Sequence, residues 1–86
     1  MILKFTKQAD DDLDYFKKTG NNQAVKKIKE LLHSILADPY NGIGQPEPLK
    51  HNLSGTWSRR INREHRLIYK IDAEIVYVIS LRGHYN

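Results

Sequence analysis

The chain has 86 residues, with 14 Lys and Arg against 10 Asp and Glu, a formal charge of +4 and no cysteine. That length allows one domain, residues 1–86, burying roughly 60–65% of the unfolded chain's surface, and the absence of cysteine excludes disulfides, thiolate catalysis and cysteine zinc sites. No run is long or apolar enough to span a membrane and Met1 leads straight into ILKFT without a signal peptide, so the expected location is the cytoplasm; the positive charge suits a polyanionic partner as readily as it suits solubility alone.

Ile2 to Phe5 reads as a short strand. Thr6 is placed to cap a first helix. Asp10, Asp11 and Asp12 crowd its first turns, Lys17 and Lys18 its last, and Gly20 lies just beyond, in the order a helix dipole favours. Ala9, Leu13 and Phe16 form its apolar stripe, with Tyr15 alongside. The three aspartates match no calcium loop and read as a solvated helix start. Asn21 or Asn22 caps a second helix running to about Ala37. There Ala24, Val25, Ile28, Leu31, Leu32, Ile35 and Leu36 recur at helical spacing, while Lys26, Lys27, Lys29 and Glu30 face out. The short gap between the two makes an antiparallel helix hairpin. His33 lies on the polar side without a partner at metal-binding spacing, and Asp38-Pro39 ends the helix.

From Asp38 to Thr56 the chain has three prolines, three glycines and few apolar residues, a long connection of the kind that usually signals function. Tyr40, Ile43, Leu49 and Leu53 are expected to pin it to the body. Three strands follow, Trp57 to Asn62, His65 to Ile71 and Glu74 to Arg82, joined by tight turns into an antiparallel meander. Alternation puts Trp57, Ile61, Leu67, Tyr69 and Ile71 on the side that takes the helices. The last strand is nearly all apolar and so expected to be central, with Tyr77, Ile79 and Leu81 under the helices. Arg59 shares parity with the core residues, so it is expected to reach out from the core edge or to pair with a helix carboxylate. His65 falls on the same side and reads as structural.

Ser58, Arg60, Arg66 and Lys70 then point to the opposite, open face. Arg82 joins them, and so does His84 if extended pairing continues past Gly83. Glu47 and Lys50 arch over this surface from the loop. Glu47 stands between Pro46 and Pro48, which restrict its backbone on both sides and reduce the entropy lost when it aligns with a substrate. Groups of these types can take a proton, give one back and stabilise a phosphate between the two steps. On the residues alone, Glu47 reads as a solvated acid in an ordinary loop and His84 as a surface imidazole, sooner than as catalytic groups. Four histidines without an HxxxH pair give no zinc signature, and no glycine-rich phosphate loop or Ser/His/Asp order is present.

The stretch PEPLKHNLSGTWSRRI…EHRLIY, with the final RGHY, closely resembles the YoeB (Txe) branch of the RelE-like bacterial toxins, and the likeness extends over almost the whole chain. The resemblance implies an α+β fold with two antiparallel helices on one face of a small, mostly antiparallel sheet. It implies the toxin of a toxin–antitoxin pair: a metal- and cofactor-independent endoribonuclease that cuts messenger RNA on the ribosome by 2′-OH attack. In that reading Glu47 of PEP is the base, Arg66 of EHRL the phosphate clamp and His84 of GHY the acid. Lys50, Arg60 and Arg82 are supporting cations, and Tyr85 orients the base or the phosphate. The implied partners are messenger RNA on the ribosome and an acidic, YefM-like antitoxin covering the basic face beside Ile68, Val76 and Val78, with homodimerisation besides. Two departures stand out: Asn86 extends past the usual terminal tyrosine, and Gly83 replaces a frequent aromatic, which is expected to loosen the tail. The alternative is a non-catalytic RNA-binding or antitoxin-binding module using the same cations, recognisable by binding that survives loss of Glu47 and His84.

Overall fold

The structure, a computed structural model, describes residues 1–50 and 55–83. Strand β1 (Ile2–Phe5) leads into helices α1 (Lys7–Lys18) and α2 (Asn22–Ala37). Strands β2 (Glu47–Pro48), β3 (Thr56–Arg60), β4 (Arg66–Asp72) and β5 (Ile75–Ser80) follow. They form one five-stranded sheet in the order β1-β5-β4-β3-β2, in which β1 runs parallel to β5 and every other pairing is antiparallel. This is the expected α+β arrangement, with two findings added. β2 is a strand inside the connection that reads as irregular, and β1 joins β5 across the whole chain.

The helix caps fall where the polar residues put them. Thr6 Oγ1 accepts from the Ala9 N–H at 3.1 Å and Asn21 Oδ1 from the Ala24 N–H at 3.1 Å. Ala9 and Phe16 of α1 and Ala24, Ile28, Leu31 and Ile35 of α2 are buried against the sheet, whereas Leu36 is 38% exposed, so the apolar stripe of α2 is narrower than its sequence suggests. Asp12 corrects the reading of a solvated helix start. It is 2% exposed, its Oδ1 accepts from Gln8 Nε2 at 2.7 Å, and its Oδ2 accepts from the Leu81 N–H at 2.9 Å. A buried carboxylate needs such donors, and here they tie α1 to the end of β5.

The two faces of β3 and β4 follow alternation. Arg59 pairs with Leu67 and Trp57 with Tyr69, all toward the helices, while Ser58 pairs with Ile68 and Arg60 with Arg66 on the open face. β5 departs from the expectation. Val76 and Val78 are fully buried beneath the helices, and Tyr77 and Ile79 are half-buried on the other side. The cause is a bulge: Tyr69 pairs with Val78 but Ile68 pairs with Ser80, which leaves Ile79 as the extra residue. The Ile79 carbonyl turns instead to Thr6 Oγ1 at 2.7 Å. Parity resets past this point, so Leu81 returns to the core with no exposure.

Arg59 neither reaches out of the core edge nor pairs with a helix carboxylate. It is the largest fully buried side chain, and all five of its N–H donors are used. Nε donates to Tyr69 Oη at 3.1 Å. Nη1 donates to Ser34 Oγ at 2.8 Å and the Ile43 carbonyl at 3.2 Å, and Nη2 to the Asp38 and Asn41 carbonyls at 2.8 and 3.1 Å. The loop after α2 therefore wraps a guanidinium. Tyr40 and Ile43, expected to pin that loop by burial, stay 49% and 45% exposed, although Tyr40 lies on Trp57 at 5.2 Å. Gly42 is required where it stands, because a Cβ there would collide with Ser34 Oγ and lie 2.9 Å from Arg59 Nη1. Asp38 stiffens the same turn by accepting from the Tyr40 and Asn41 N–H groups at 3.0 and 3.2 Å. The Tyr40 bond is the main cause holding its carboxyl below the ordinary value of 3.8.

Arg59→Lys keeps the charge but offers three donors in place of five, leaving carbonyls unpaired; a loss of at least about 3 kcal/mol is expected, read as a lower denaturant midpoint. A second test uses Tyr69, whose hydroxyl donates to the Pro39 carbonyl at 2.6 Å. Burial raises its pKa above 10.0, with the Arg59 bond opposing. Its contribution is thus present below pH 10.0 and lost as pH rises through the folded value, where the donor disappears. Stability measured between about pH 9 and 11 should fall in the parent and flatten in Tyr69→Phe. Parallel curves would remove Tyr69 as the source.

Candidate active site

The grip on Arg59 fixes where the chain goes next. The Gly44 carbonyl accepts from the Arg60 N–H at 2.6 Å, and three residues later β2 pairs with β3, Glu47 opposite Ser58 and Pro48 opposite Trp57. Leu49 N–H extends the ladder to the Thr56 carbonyl at 2.9 Å. Pairing across a pleated sheet puts opposed residues on one face, so Glu47, Ser58, Ile68 and Ser80 form a row over four strands of the open face. Ser58, Ile68 and Ser80 are buried in this row, and Ser80 Oγ has no hydrogen-bond partner among the described residues.

Arg60 and Arg66 are directly opposed in the next row. Glu47 and Arg60 are diagonal neighbours, about 7–8 Å apart. From strand spacing and rise, Glu47 and Arg66 stand about 12 Å apart at Cα, a span that two long side chains close around one phosphate. Arg60 is exposed and Arg66 half-buried. Among the described residues the one ion pair is Lys7–Asp11 at 3.3 Å, while Glu64 approaches His65 Nε2 at 3.7 Å, so neither arginine has a carboxylate partner among them. Glu47 is exposed, and Lys50 is exposed two residues past β2. Among the described residues no three His, Asp or Glu side chains gather as a metal site. The arrangement brings one carboxylate beside two arginines, groups of the kinds that move protons and hold phosphates.

Not every expected member joins this face. The Arg82 guanidinium lies over the ring of Tyr15 on α1, 3.6 Å from its centroid, a cation–π contact at the helix edge. His84, Tyr85 and Leu53 lie outside the described residues. Val76 and Val78 face the helices, so the apolar residues of the open strand surface are Ile75, Tyr77 and Ile79 beside Ile68.

Gly83, expected to loosen the tail, is held at both ends of its peptide unit. Its N–H donates to His65 Nδ1 at 2.9 Å and its carbonyl accepts from the Arg66 N–H at 3.1 Å. His65 is half-buried, as its parity implies, and its ring meets Phe16 edge-on at 5.1 Å. Nδ1 accepts, so the neutral ring carries its proton on Nε2, toward Glu64. Gly83 has φ +85°, which favours glycine over the aromatic of the resemblance. His65 as the anchor of residue 83 was not legible in the sequence; the contact joins the starts of β4 and the tail, and no periodicity reports it.

A model for the YoeB-like toxin of bacterial type II toxin–antitoxin systems matches residues 5–85. The chain is similar to Toxin YoeB of Synechocystis sp., 47% identical over 86 residues, covering 100% of this chain and 99% of that one. Its fold superposes on a YoeB/ParE toxin from Agrobacterium tumefaciens with a TM-score of 0.94 at 38% identity, covering 99% and 100% of the two chains. It also matches YoeB of Staphylococcus aureus, solved as a dimer (TM-score 0.90, 45% identity) and in a heterotetrameric YoeB-YefM complex (0.88, 45%), each covering 99% of this chain and 98% of that one.

His65→Phe keeps the ring contact with Phe16 and removes the acceptor for the Gly83 N–H. Hydrogen exchange at Gly83 should speed up roughly five-fold, the equivalent of one net hydrogen bond of about 1 kcal/mol. An unchanged Gly83 rate would show that the imidazole does not hold this residue.

Proposed function

The chain belongs to the YoeB-like toxins of bacterial type II toxin–antitoxin systems, and on that footing we propose that it is a metal-independent endoribonuclease cutting messenger RNA on the ribosome. The observation that carries the reading is the register that sets Glu47 opposite Ser58, one row from the unneutralised Arg60–Arg66 pair. Glu47 takes the proton of a 2′-OH, and the oxygen attacks the adjacent phosphorus. The bond to the 5′-oxygen breaks as His84 delivers a proton to it, leaving a 2′,3′-cyclic phosphate and a 5′-hydroxyl. Each well-placed proton transfer is worth roughly 10²–10⁴-fold.

Arg66 is the clamp on the phosphorane-like transition state. Its planar fork meets two equatorial oxygens, with Arg60 and Lys50 adding charge-assisted hydrogen bonds. Gly83, the residue before His84, accepts from the Arg66 N–H, which supports an acid beside the clamp. Tyr85 orients the base or the phosphate. Arg82, held on Tyr15, adds positive potential from the flank. An open strand surface holds RNA weakly by itself, so the ribosome supplies position, which also puts the protein in the cytoplasm. The Staphylococcus aureus complex with YefM supports an acidic antitoxin over the basic face, where half-buried Ile75, Tyr77 and Ile79 lie beside the cations, and the dimer of that toxin supports homodimerisation.

Mapping 3′ ends of messenger RNA on programmed ribosomes tests this. The parent should give discrete ends carrying a 2′,3′-cyclic or 3′-phosphate, and a 2′-deoxy sugar at the cut site should resist. Glu47→Gln should lose at least about 10²-fold in single-turnover rate, and Arg66→Lys should lose rate with less change in RNA binding. Unaltered rates in both variants would leave an RNA- or antitoxin-binding module without these catalytic roles. In a ribosome-free assay, cleavage abolished by EDTA and restored by magnesium would overturn the metal-free mechanism.

A further inference from the structure

A second cationic site lies where β3 runs into the β3–β4 turn. A cleft of about 290 Å³ opens there between that turn and α2, lined by Lys27, Gly44, Gln45, Arg60, Asn62 and Arg63, with Ile61 its apolar member. At ~30 Å³ per water it has room for a phosphate and several waters. We propose that this cleft holds a backbone phosphate of the RNA strand outside the cut site, continuing the cationic track from Arg66 through Arg60 around the turn. The proposal rests on the reading above that RNA is the substrate, and it extends the footprint beyond the catalytic row.

The cleft has the features of a phosphate seat. Among the described residues three cations line it and no carboxylate does. Glu64, in the same turn, is 3.7 Å from His65 Nε2, and among the described residues no carboxylate pairs with Lys27, Arg60 or Arg63. Glu30 lies one helical turn from Lys27 but does not line the cleft. Lys27 is half-buried, so its stem is already restrained, and less entropy is lost when the ammonium meets an anion. The turn carrying Arg63 is held by Asn62, whose Oδ1 accepts from the Glu64 and His65 N–H groups at 2.9 Å each. The opposite wall is held by the Gly44–Arg60 bond. Gln45 on that wall has φ +54°, a left-handed backbone that costs a non-glycine residue energy and that clusters at ligand sites. A small cleft with three cations in its lining fits a phosphate better than an amphipathic peptide, which needs a broad apolar groove.

The test is binding of a fluorescent, uniformly 2′-O-methylated dodecamer, which lacks the 2′-hydroxyl nucleophile, measured by anisotropy over a range of potassium chloride. Each phosphate contact on single-stranded nucleic acid contributes about 0.7 to the slope of log K against log salt. Removing both side chains frees that one phosphate, so Lys27→Gln/Arg63→Gln should lower the slope by about 0.7 and Arg63→Gln alone by less, while Lys7→Gln, at the N-terminal end of α1, should leave it near the parent value. A parent slope retained in the double variant overturns the subsite and leaves the catalytic reading intact. So does unchanged RNA binding with weakened binding of an acidic antitoxin, which would assign the cleft to a protein. No salt-dependent RNA binding by the parent would sink the subsite and the RNA reading together.

Discussion

A guanidinium buried without a carboxylate in hydrogen-bonding contact is the constraint around which this small protein closes. Taking such a cation out of water costs several kcal/mol even after relaxation, and Arg59 offsets that cost only by placing each donor on an oxygen. Those oxygens come from the end of α2, the loop that follows it and Tyr69 on β4. The cation also sits at the C-terminal end of α2, where the helix dipole favours positive charge. A loop short of apolar side chains therefore has one path instead of many. With a core drawn from so short a chain, that polar knot does what a larger apolar core does elsewhere.

The open face of the sheet inherits its geometry from this knot. The loop gripped by Arg59 ends at Gly44, whose carbonyl meets Arg60, and β2 begins three residues on. Arg59 and Arg60 are chain neighbours with opposite fates because a strand sends consecutive side chains to opposite faces. One is fully buried and satisfied by the protein, and the other stands in solvent without a carboxylate partner among the described residues. Formal charge alone does not distinguish the two.

The far end of the face is tied down from the helix side. Asp12 holds the Leu81 N–H, Arg82 lies on Tyr15, and His65, braced by Phe16, holds Gly83. Helix α1 thus contributes three anchors to the chain just before His84 from the side of the sheet opposite the open face. A terminal segment with few apolar contacts is normally loosely held; here hydrogen bonds and ring contacts serve in their place.

What the sequence determined by itself were the features governed by local periodicity and local chemistry. Thr6 and Asn21 cap helices because their oxygens reach N–H groups three residues on, and the faces of β3 and β4 follow from alternation, which placed Arg60 and Arg66 together and His65 on the core side. The resemblance of PEP, EHRL and GHY named Glu47, Arg66 and His84. What only the tertiary structure decided were the contacts between residues far apart in the chain. Arg59 meets acceptors 10 to 25 positions away, Asp12 meets Leu81 across 69, and Thr6 meets the Ile79 carbonyl across 73. That last bond accompanies the bulge that put Tyr77 and Ile79 on the face opposite to Leu81, since one extra residue breaks the alternation between the residues before and after it. β2 is two residues long, too short for any pattern, so the position of Glu47 opposite Ser58 was set by pairing across the sheet and not by anything written in PEP itself.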